Sequence, residues 1–446
     1  MKQNALYIGL SLVLSAGYCS AKCPWVSDAE RDAVRDRVFG VESAAGTPEE
    51  DAVRFFANPE KTAYVSFNYD EDKAGEETYR LEDPLTFVDG SKVESPSDWK
   101  RRRQEILKIF EDNVYGRMPP KPDEMAFEIV SEKMSEDRFA TTRVYRQYFR
   151  ADKSGPVIDW LVAVPRHAKG KVPVFLHLNY AGLEKIANKK TVHYDLPWDQ
   201  LIANGFAFMS SQYEQITSDL LHGDTVDNAF NGVFELWGRR DPQKTNNTGT
   251  IMAWAWGLMR GLDLAERIPE IDATRNVVIG SSRLGKAALV AGAFDERFQV
   301  VIPNQTGAIG VQLMKRDYGE NLRGQALGTV HWYCSKIWDY KDDPRKMPFD
   351  QHLLLACVAP RNLLLECYHK KWFDPRGEWL AAKAASPVWE FLCGRGLGAD
   401  SWPDPYSEEL VKPPFGYVRR TECHGLSPYD WKWAMDFANK VFKKAE

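Results

Sequence analysis

The sequence predicts an α/β protein whose mostly parallel sheet carries helices on both faces. Short apolar runs of strand length alternate along the chain with longer segments of helical spacing, a pattern typical of parallel sheets. Two runs, Val172–Leu178 and Phe206–Met209, are apolar almost throughout, as expected for strands buried on both faces. A third run, Asn276–Gly280, leads directly into a helix-like segment.

The remaining elements are predicted in a regular order. A helix is expected over Ser97–Val114, where apolar residues recur at helical spacing. Alternating runs then indicate an antiparallel lead-in to the parallel strands. The predicted elements of the lead-in and of the second half of the chain are Phe127–Val130, Thr142–Tyr148, Ile158–Val164, a helix over Asn247–Ala265, Phe298–Ile302, Asn362–Tyr368 and a last helix over Trp431–Phe437.

The turn after Gly280 is the most informative part of the chain. A strand, a sharp turn and a helix place Ser282 at the apex, at a helix N-terminus that favours negative charge. This arrangement is typical of the nucleophile elbow of α/β-hydrolases. The spacing departs from G-x-S-x-G, because Leu284 occupies the last position and the glycine follows at Gly285. The alternative is an ordinary strand-to-helix turn with a capping serine.

The residues around Ser282 resemble a known signature. The segment Gly280–Lys286 is similar to the G-C-S-R-x-G-K motif of the glucuronoyl esterases, carbohydrate esterase family 15, with Ser281 in place of the cysteine. The resemblance covers roughly residues 80–446 and implies an α/β-hydrolase fold. The further segments that follow the family's order are Asp83–Gly90, Val114–Arg117, Ile251–Leu258, Ile271–Arg275, Asp295–Phe298, His331–Tyr333, Ala359–Arg361, Trp372–Glu378 and His424–Gly425.

His424 is the best candidate for the general base that a serine nucleophile requires. It lies in a loop just before the last predicted helix, where α/β-hydrolases place this residue. The alternative is a capping or surface histidine. His331 adjoins Trp332 and is a candidate pocket residue, whereas His352 fits a core histidine and His369 a loop histidine.

The acid of the triad has no carboxylate at either position where the family places one. After the strand that follows the elbow helix, Gln305 replaces a glutamate, and two residues before Trp372 the chain has Lys370. Loss of the acid alone costs about 10⁴ in turnover in other serine hydrolases, so we expect a slow, rewired or inactive site. The remaining candidates for the acid are Asp374, Glu366 and Glu422.

The resemblance implies roles for four further residues. The backbone N–H of Arg283 is expected to stabilise an oxyanion, with help from its guanidinium, although a salt-bridging arginine is the alternative. Lys286 would contact the sugar ring or lie in solvent. Trp372 would pack on the uronosyl group or serve the core, and Gln325 is a weaker candidate for the pocket.

The implied reaction hydrolyses the ester between a glucuronic acid carboxyl on xylan and an alcohol, as in lignin–carbohydrate links. Its substrate partner is therefore glucuronoxylan, and no metal or organic cofactor is expected. One alternative is an acetyl-xylan-type esterase that uses the same residues. The other is a degenerate relative that binds glycan without turnover, suggested by Gln305 and Lys370.

Composition and the N-terminus bear on location and partners. A net charge of −5 gives no basic footprint for nucleic acid. Residues 1–21 have the charge, apolar run and small-residue cleavage site of a secretory signal, and this run is too short to span a membrane comfortably. The expected domains are the signal at 1–21, an N-terminal arm at 22–95 and the α/β-hydrolase domain at 96–446. Oligomeric state does not follow from the sequence.

The exported chain is predicted to begin near Lys22, because Cys19–Ala21 forms the cleavage site. N-terminal sequencing of the exported protein should return Lys22 at or close to the first cycle. Retention of Met1, or a lipid on Cys19, would contradict this assignment.

Overall fold

The computed structural model describes residues 67–134, 139–188, 196–219, 230–238, 240–241, 243–421 and 424–442. The expected signal sequence at 1–21, the expected arm before residue 67 and the candidate acid Glu422 lie outside the described residues.

A nine-stranded sheet organises the described chain, in the spatial order β1-β2-β3-β5-β4-β6-β7-β8-β9. The pairs from β5 through β4 to β9 are parallel, whereas β1, β2, β3 and β5 pair in antiparallel fashion. The predicted mostly parallel sheet and its antiparallel lead-in are thus confirmed. The strands are β1 (Ala126–Met134), β2 (Ala140–Tyr148), β3 (Val157–Pro165), β4 (Val172–Asn179), β5 (Ala207–Gln212), β6 (Ile271–Ser281), β7 (Val300–Asn304), β8 (Asn362–Tyr368) and β9 (Phe415–Arg420).

Helices cover both faces of this sheet, as the fold class requires. Along β6, Val278 joins one apolar cluster with the central helix of the chain, and Val277 and Ile279 join another with the last helix. The α-helices are α1 (Pro96–Phe110), α2 (Leu183–Ala187), α3 (Trp198–Ala203), α4 (Thr250–Ala265), α5 (Arg283–Phe294), α6 (Leu322–Gly328), α7 (Gln351–Ala356), α8 (Pro375–Cys393) and α9 (Pro428–Phe442).

The first helix and strand β6 are among the predicted elements that differ from the structure in extent. The first helix ends at Phe110, and residues Glu111–Tyr115 continue as a π-helical turn rather than as part of the predicted α-helix. Strand β6 begins at Ile271, so the segment Ile271–Arg275 belongs to the strand and not to a turn before it.

Strand β9 was not among the predicted elements. It contains a glycine and two arginines, so its sequence lacks a plain apolar run. All six of its residues are nevertheless buried, and Arg420 is neutralised inside the protein by both carboxylate oxygens of Asp430. This strand carries the chain to the loop of His424.

The parallel strands end at one common edge, which collects the candidate residues. Ser282 follows β6, Gln305 follows β7, and the segment 369–374 follows β8. His424 lies in the loop between β9 and α9, as predicted. Carboxyl edges of parallel strands are where open α/β sheets bind ligands.

In the part of the chain that the structure describes, none of the helices is long and apolar enough to cross a membrane.

Candidate active site

Ser282 occupies a strained turn between β6 and α5. Its φ is 60° and its ψ is −130°, a backbone conformation that residues other than glycine rarely adopt. The Ser282 backbone N–H donates to the Asn304 carbonyl at 2.9 Å, which ties the turn to the end of β7. Such a turn exposes the Ser282 side chain above the sheet edge, as a nucleophile elbow requires.

The unusual glycine spacing of the elbow has a steric reason. A Cβ atom at Gly285 would lie 2.7 Å from the Asn304 carbonyl oxygen, and one at Gly280 would lie 2.3 Å from the Leu284 carbonyl oxygen. Both positions therefore need glycine. Leu284, where the common motif has glycine, is instead a buried core residue.

Gln305 lies beside His424 and holds its ring. The Gln305 Oε1 atom is 2.8 Å from His424 Nδ1 and 3.0 Å from the Gly425 backbone nitrogen. Because a backbone N–H can only donate, the atom that it meets is the amide oxygen, so the His424 Nδ1 must also donate. In the neutral ring, the His424 Nε2 atom is then the nitrogen that can accept a proton, as a general base requires.

The Gln305 backbone also deviates from ordinary geometry. Its φ is 48°, and its N–H donates to the Glu366 carbonyl at 2.7 Å. Its Nε2 atom is buried without a hydrogen-bond partner among the described residues. Strain together with an unsatisfied polar atom is typical of functional sites. Phe373 stacks on the His424 ring at 4.9 Å between centroids.

The two candidate acids inside the described residues have other partners. Asp374 caps helix α8 through the Gly377 N–H and forms a buried ion pair with Arg316. The Glu366 carboxylate accepts a hydrogen bond from Asn304 Nδ2 at 3.0 Å, and burial, together with the negative charge of Asp430, raises its pKa well above the usual range. Neither role is that of an ionised partner for His424.

Of the residues at the two expected acid positions, Gln305 contacts His424, and Lys370 lies exposed at the surface. Lys370 is exposed and precedes the short 3₁₀ helix Lys371–Phe373. Gln305 is the side chain that meets the His424 Nδ1. The position after β7 therefore holds an uncharged acceptor for His424 and no carboxylate.

Asp219 holds Arg283, the residue after Ser282, and sequence reasoning missed it. It follows β5, is buried, and forms an ion pair with the guanidinium of Arg283. It also accepts hydrogen bonds from Trp332 Nε1 at 2.6 Å and from Tyr213 at 3.2 Å, and its Oδ1 lies 3.2 Å from His331 Nε2. Burial disfavours its charge, but Arg283, His331 and Trp332 outweigh that cost and hold the pKa of Asp219 well below its usual range.

Two cationic side chains of helix α5, which follows Ser282, pack on the Trp332 ring. The Arg283 Cζ atom lies 4.9 Å from the ring centroid, and the Lys286 Nζ atom lies 5.4 Å from it. Such cation–π contacts stabilise a positive charge in a partly desolvated place. Asp219 therefore positions Arg283 directly, and it fixes the ring against which Arg283 and Lys286 pack.

Lys286 and Glu320 supply opposite charges to the pocket. Both are buried, so the helix lysine is not the solvated residue that the sequence left open. Burial lowers the pKa of Lys286 to about 8, and the negative charge of Glu320 opposes this shift. Burial also raises the pKa of Glu320, with the charge of Lys286 opposing that rise. Glu320 was another residue that sequence reasoning missed.

Gln325 and Trp372 both belong to the surroundings of Glu320. The Gln325 side chain hydrogen-bonds to the Glu320 carboxylate and accepts from the Tyr333 hydroxyl at 2.8 Å. Trp372 is half-buried, and its carbonyl accepts from the Glu320 backbone N–H at 2.7 Å. Gln325 and Trp372 are therefore brought together around Glu320. Among the described residues, no group of three or more His, Cys, Asp or Glu side chains could hold a metal ion.

Comparison with known proteins gives one consistent family. The family model described as "Glucuronyl esterase, fungi" matches residues 159–393. A carbohydrate esterase from an unknown prokaryotic organism is 34% identical over 430 residues, which cover 90% of this chain and 96% of the relative.

Solved structures agree with this family. A promiscuous esterase of carbohydrate esterase family 15, from a marine bacterial metagenome, superposes with a TM-score of 0.74 at 33% identity, over 84% of this chain and 100% of that one. A glucuronoyl esterase from Solibacter usitatus gives a TM-score of 0.74 at 31% identity, over 82% of this chain and 98% of that one.

The Asp219→Asn substitution is expected to lower kcat for p-nitrophenyl acetate by about 100-fold or more, since it removes the charge that holds Arg283 at the elbow. Circular dichroism should show the variant folded at the assay temperature. The matched control is Asp159→Asn, which breaks a more exposed pair with Arg146 and should leave kcat within about twofold. Equal kcat values for the Asp219→Asn variant and the wild type would contradict the role of Asp219.

Proposed function

Because the chain belongs to the glucuronoyl esterases of carbohydrate esterase family 15, and is therefore a carboxylic ester hydrolase, we propose that it is an exported enzyme that cleaves glucuronoyl esters of xylan. The esters are those that join a glucuronic acid carboxyl to an alcohol, as in lignin–carbohydrate links. The observation that carries the proposal is the contact of Gln305 with His424 next to the elbow of Ser282.

The proposed mechanism begins with attack by the Ser282 hydroxyl on the ester carbonyl. The His424 Nε2 atom accepts the hydroxyl proton and later gives it to the departing alcohol. Water then attacks the acyl-enzyme, with His424 again as base, and free glucuronic acid leaves. Gln305 keeps the Nδ1 proton in place throughout, because its amide oxygen accepts from that atom.

Stabilisation of the oxyanion is assigned to Arg283. Its backbone N–H lies at the N-terminus of α5, where the helix dipole favours negative charge. The guanidinium, held by Asp219 and by the Trp332 ring, adds a positive charge on the same side. Its position is set before substrate arrives, so little reorganisation is needed during the reaction.

The glucuronosyl ring is assigned to the pocket side that carries Lys286, Glu320 and Trp372. A buried ammonium and a buried carboxylate can donate to and accept from sugar hydroxyls, and an indole ring can pack on the sugar face. These hydrogen-bonding groups match a ligand with several hydroxyl groups better than they match a small acyl group. This favours a uronosyl ester over an acetyl ester.

An acetyl-xylan-type esterase is the second candidate. The same serine and histidine would serve it, and one structural relative bears the description promiscuous. Binding of glycan without turnover is less favoured, because Gln305, one of the two replacements that suggested it, still supplies an acceptor for the His424 Nδ1 proton.

The test of the proposed function compares benzyl glucuronate with p-nitrophenyl acetate. The wild type should hydrolyse both and prefer the glucuronate ester in kcat/KM. The Ser282→Ala and His424→Ala substitutions should each lower kcat by about 10³-fold or more, and the double variant should be little worse than either, because the two residues act as one unit. A preference for the acetate would support the second candidate, and additive losses would contradict a shared mechanism.

The Gln305→Glu substitution should raise kcat for benzyl glucuronate by about 10-fold or more. A carboxylate at this position stabilises the imidazolium that forms during the attack, which a neutral amide does less well. The same charge favours protonated His424 in the free enzyme, so the acidic limb of the kcat/KM profile should move to higher pH.

The Lys370→Asp substitution is the control for this prediction, since it introduces a carboxylate at the other position used by the family. Lys370 is exposed, so kcat should change by less than about twofold. A gain with Lys370→Asp and none with Gln305→Glu would show that the orienting position lies after β8 instead.

A further inference from the structure

Two loops form the pocket side that carries Glu320 and Trp372. Residues 315–321 carry Glu320, and residues 369–374 carry Trp372. They touch through the Glu320 N–H, which donates to the Trp372 carbonyl at 2.7 Å. A Cβ atom at Gly319, whose φ is 64°, would lie 2.5 Å from the same carbonyl oxygen. The spacing of the two loops is therefore tightly fixed at this point.

The chain before the hydrolase domain binds the first of these loops. We call residues 67–82 the arm segment. The Gly319 N–H donates to the Asn68 carbonyl at 2.8 Å, and the Asp317 N–H donates to the Ala74 carbonyl at 3.0 Å. The Asn68 side chain returns a hydrogen bond to the Asp317 carbonyl at 2.6 Å. The arm segment thus holds the backbone immediately before Glu320.

Arg316 links the arm segment to both loops. Its side chain is completely buried, and its guanidinium pairs with Glu71 and Glu76 of the arm segment and with Asp374. A buried guanidinium is stable only if its charge and its N–H groups have partners. Since Asp374 lies two residues after Trp372, this network joins the arm segment, the Glu320 loop and the Trp372 loop in one place. The residue that the sequence offered as a catalytic acid serves here as a structural carboxylate.

Phe67 extends the contact to the pocket tryptophan itself. Its ring lies 4.7 Å from that of Trp372, between centroids, at an interplanar angle of 56°. It also reaches the start of α6, where a Cβ atom at Gly324 would lie 3.3 Å from the Phe67 Cζ atom. One aromatic side chain therefore backs Trp372 and the helix that carries Gln325.

We propose that the arm segment is a positioning element of the sugar site, which sets the places of Trp372 and Glu320 and thereby determines affinity for the glucuronosyl group. This inference rests on the proposed function. The arm segment acts on the loops that would hold the sugar and takes no part in acyl transfer. Its residues therefore affect KM for sugar esters and leave the hydrolysis of small esters unchanged.

The first variant is Phe67→Ala in the full chain. KM for benzyl glucuronate should rise by about three- to tenfold, the range expected for loss of one aromatic pair, while kcat stays within about twofold. Hydrolysis of p-nitrophenyl acetate should be unchanged. A general loss of structure would instead lower both activities together.

The second variant, Glu71→Gln with Glu76→Gln, removes the two charges that the arm segment gives to Arg316. Its matched control is Asp72→Asn with Glu77→Gln, the same chemical change at the neighbouring exposed positions. Only the first pair should raise KM for the glucuronate ester. It should also speed hydrogen exchange of the Glu320 backbone amide, which bonds to Trp372.

Three results would overturn the inference. They are an unchanged KM in both variants, an equal loss on the two esters, and an equal effect of the control pair. If the wild type fails to hydrolyse the glucuronate ester, the proposed function fails. Exchange of the Glu320 amide still decides the positioning role in that case, because it needs no substrate.

Discussion

One amide oxygen, Oε1 of Gln305, is the contact on which the arrangement of the site depends. It accepts from the His424 ring and from the next backbone N–H, so it fixes both the ring and the loop that carries it. The adjacent carbonyl, of Asn304, accepts from the Ser282 N–H. Two strained turns, at φ 60° and φ 48°, are therefore held against each other at the ends of neighbouring parallel strands. Each costs about 1–3 kcal/mol, and each persists because buried hydrogen bonds over-determine it.

Buried charges hold the loops around this contact. The Asp219 carboxylate contacts the Arg283 guanidinium and the side chains of Tyr213, His331 and Trp332. The Arg316 guanidinium contacts the carboxylates of Glu71, Glu76 and Asp374. In both networks a charge that would be costly alone is neutralised by side chains from distant parts of the chain. Removal of one partner from a fully buried pair such as Arg316–Asp374 costs about 3–5 kcal/mol, whereas the intact pair contributes little net stability. These networks therefore specify position more than they add stability.

The acid of a triad orients the histidine ring and also stabilises the imidazolium, and an amide in its place separates these two tasks. An acceptor opposite Nδ1 selects the ring tautomer, and Gln305 does this through its oxygen. A carboxylate would also stabilise the imidazolium, which an uncharged group does only weakly. The two candidate acids among the described residues, Glu366 and Asp374, instead hydrogen-bond to Asn304 inside the sheet and pair with Arg316. In the proposed mechanism, Gln305 therefore orients His424 as a triad acid would but contributes little to stabilising its positive charge.

The sequence by itself determined the sheet, the elbow at Ser282 and the loop of His424. These features depend on local patterns: buried strands are apolar, the turn needs glycines, and the loop immediately precedes a helix. Strand β9 escaped notice because its burial depends on the pairing of Arg420 with Asp430, a side-chain contact that the strand's own sequence pattern does not show. Only the tertiary structure decided that Gln305 meets His424, 119 residues away, and that Asp219 meets Arg283, 64 residues away. Such contacts form between side chains that no periodicity relates, because loops at the ends of separate strands become neighbours only when the sheet has formed.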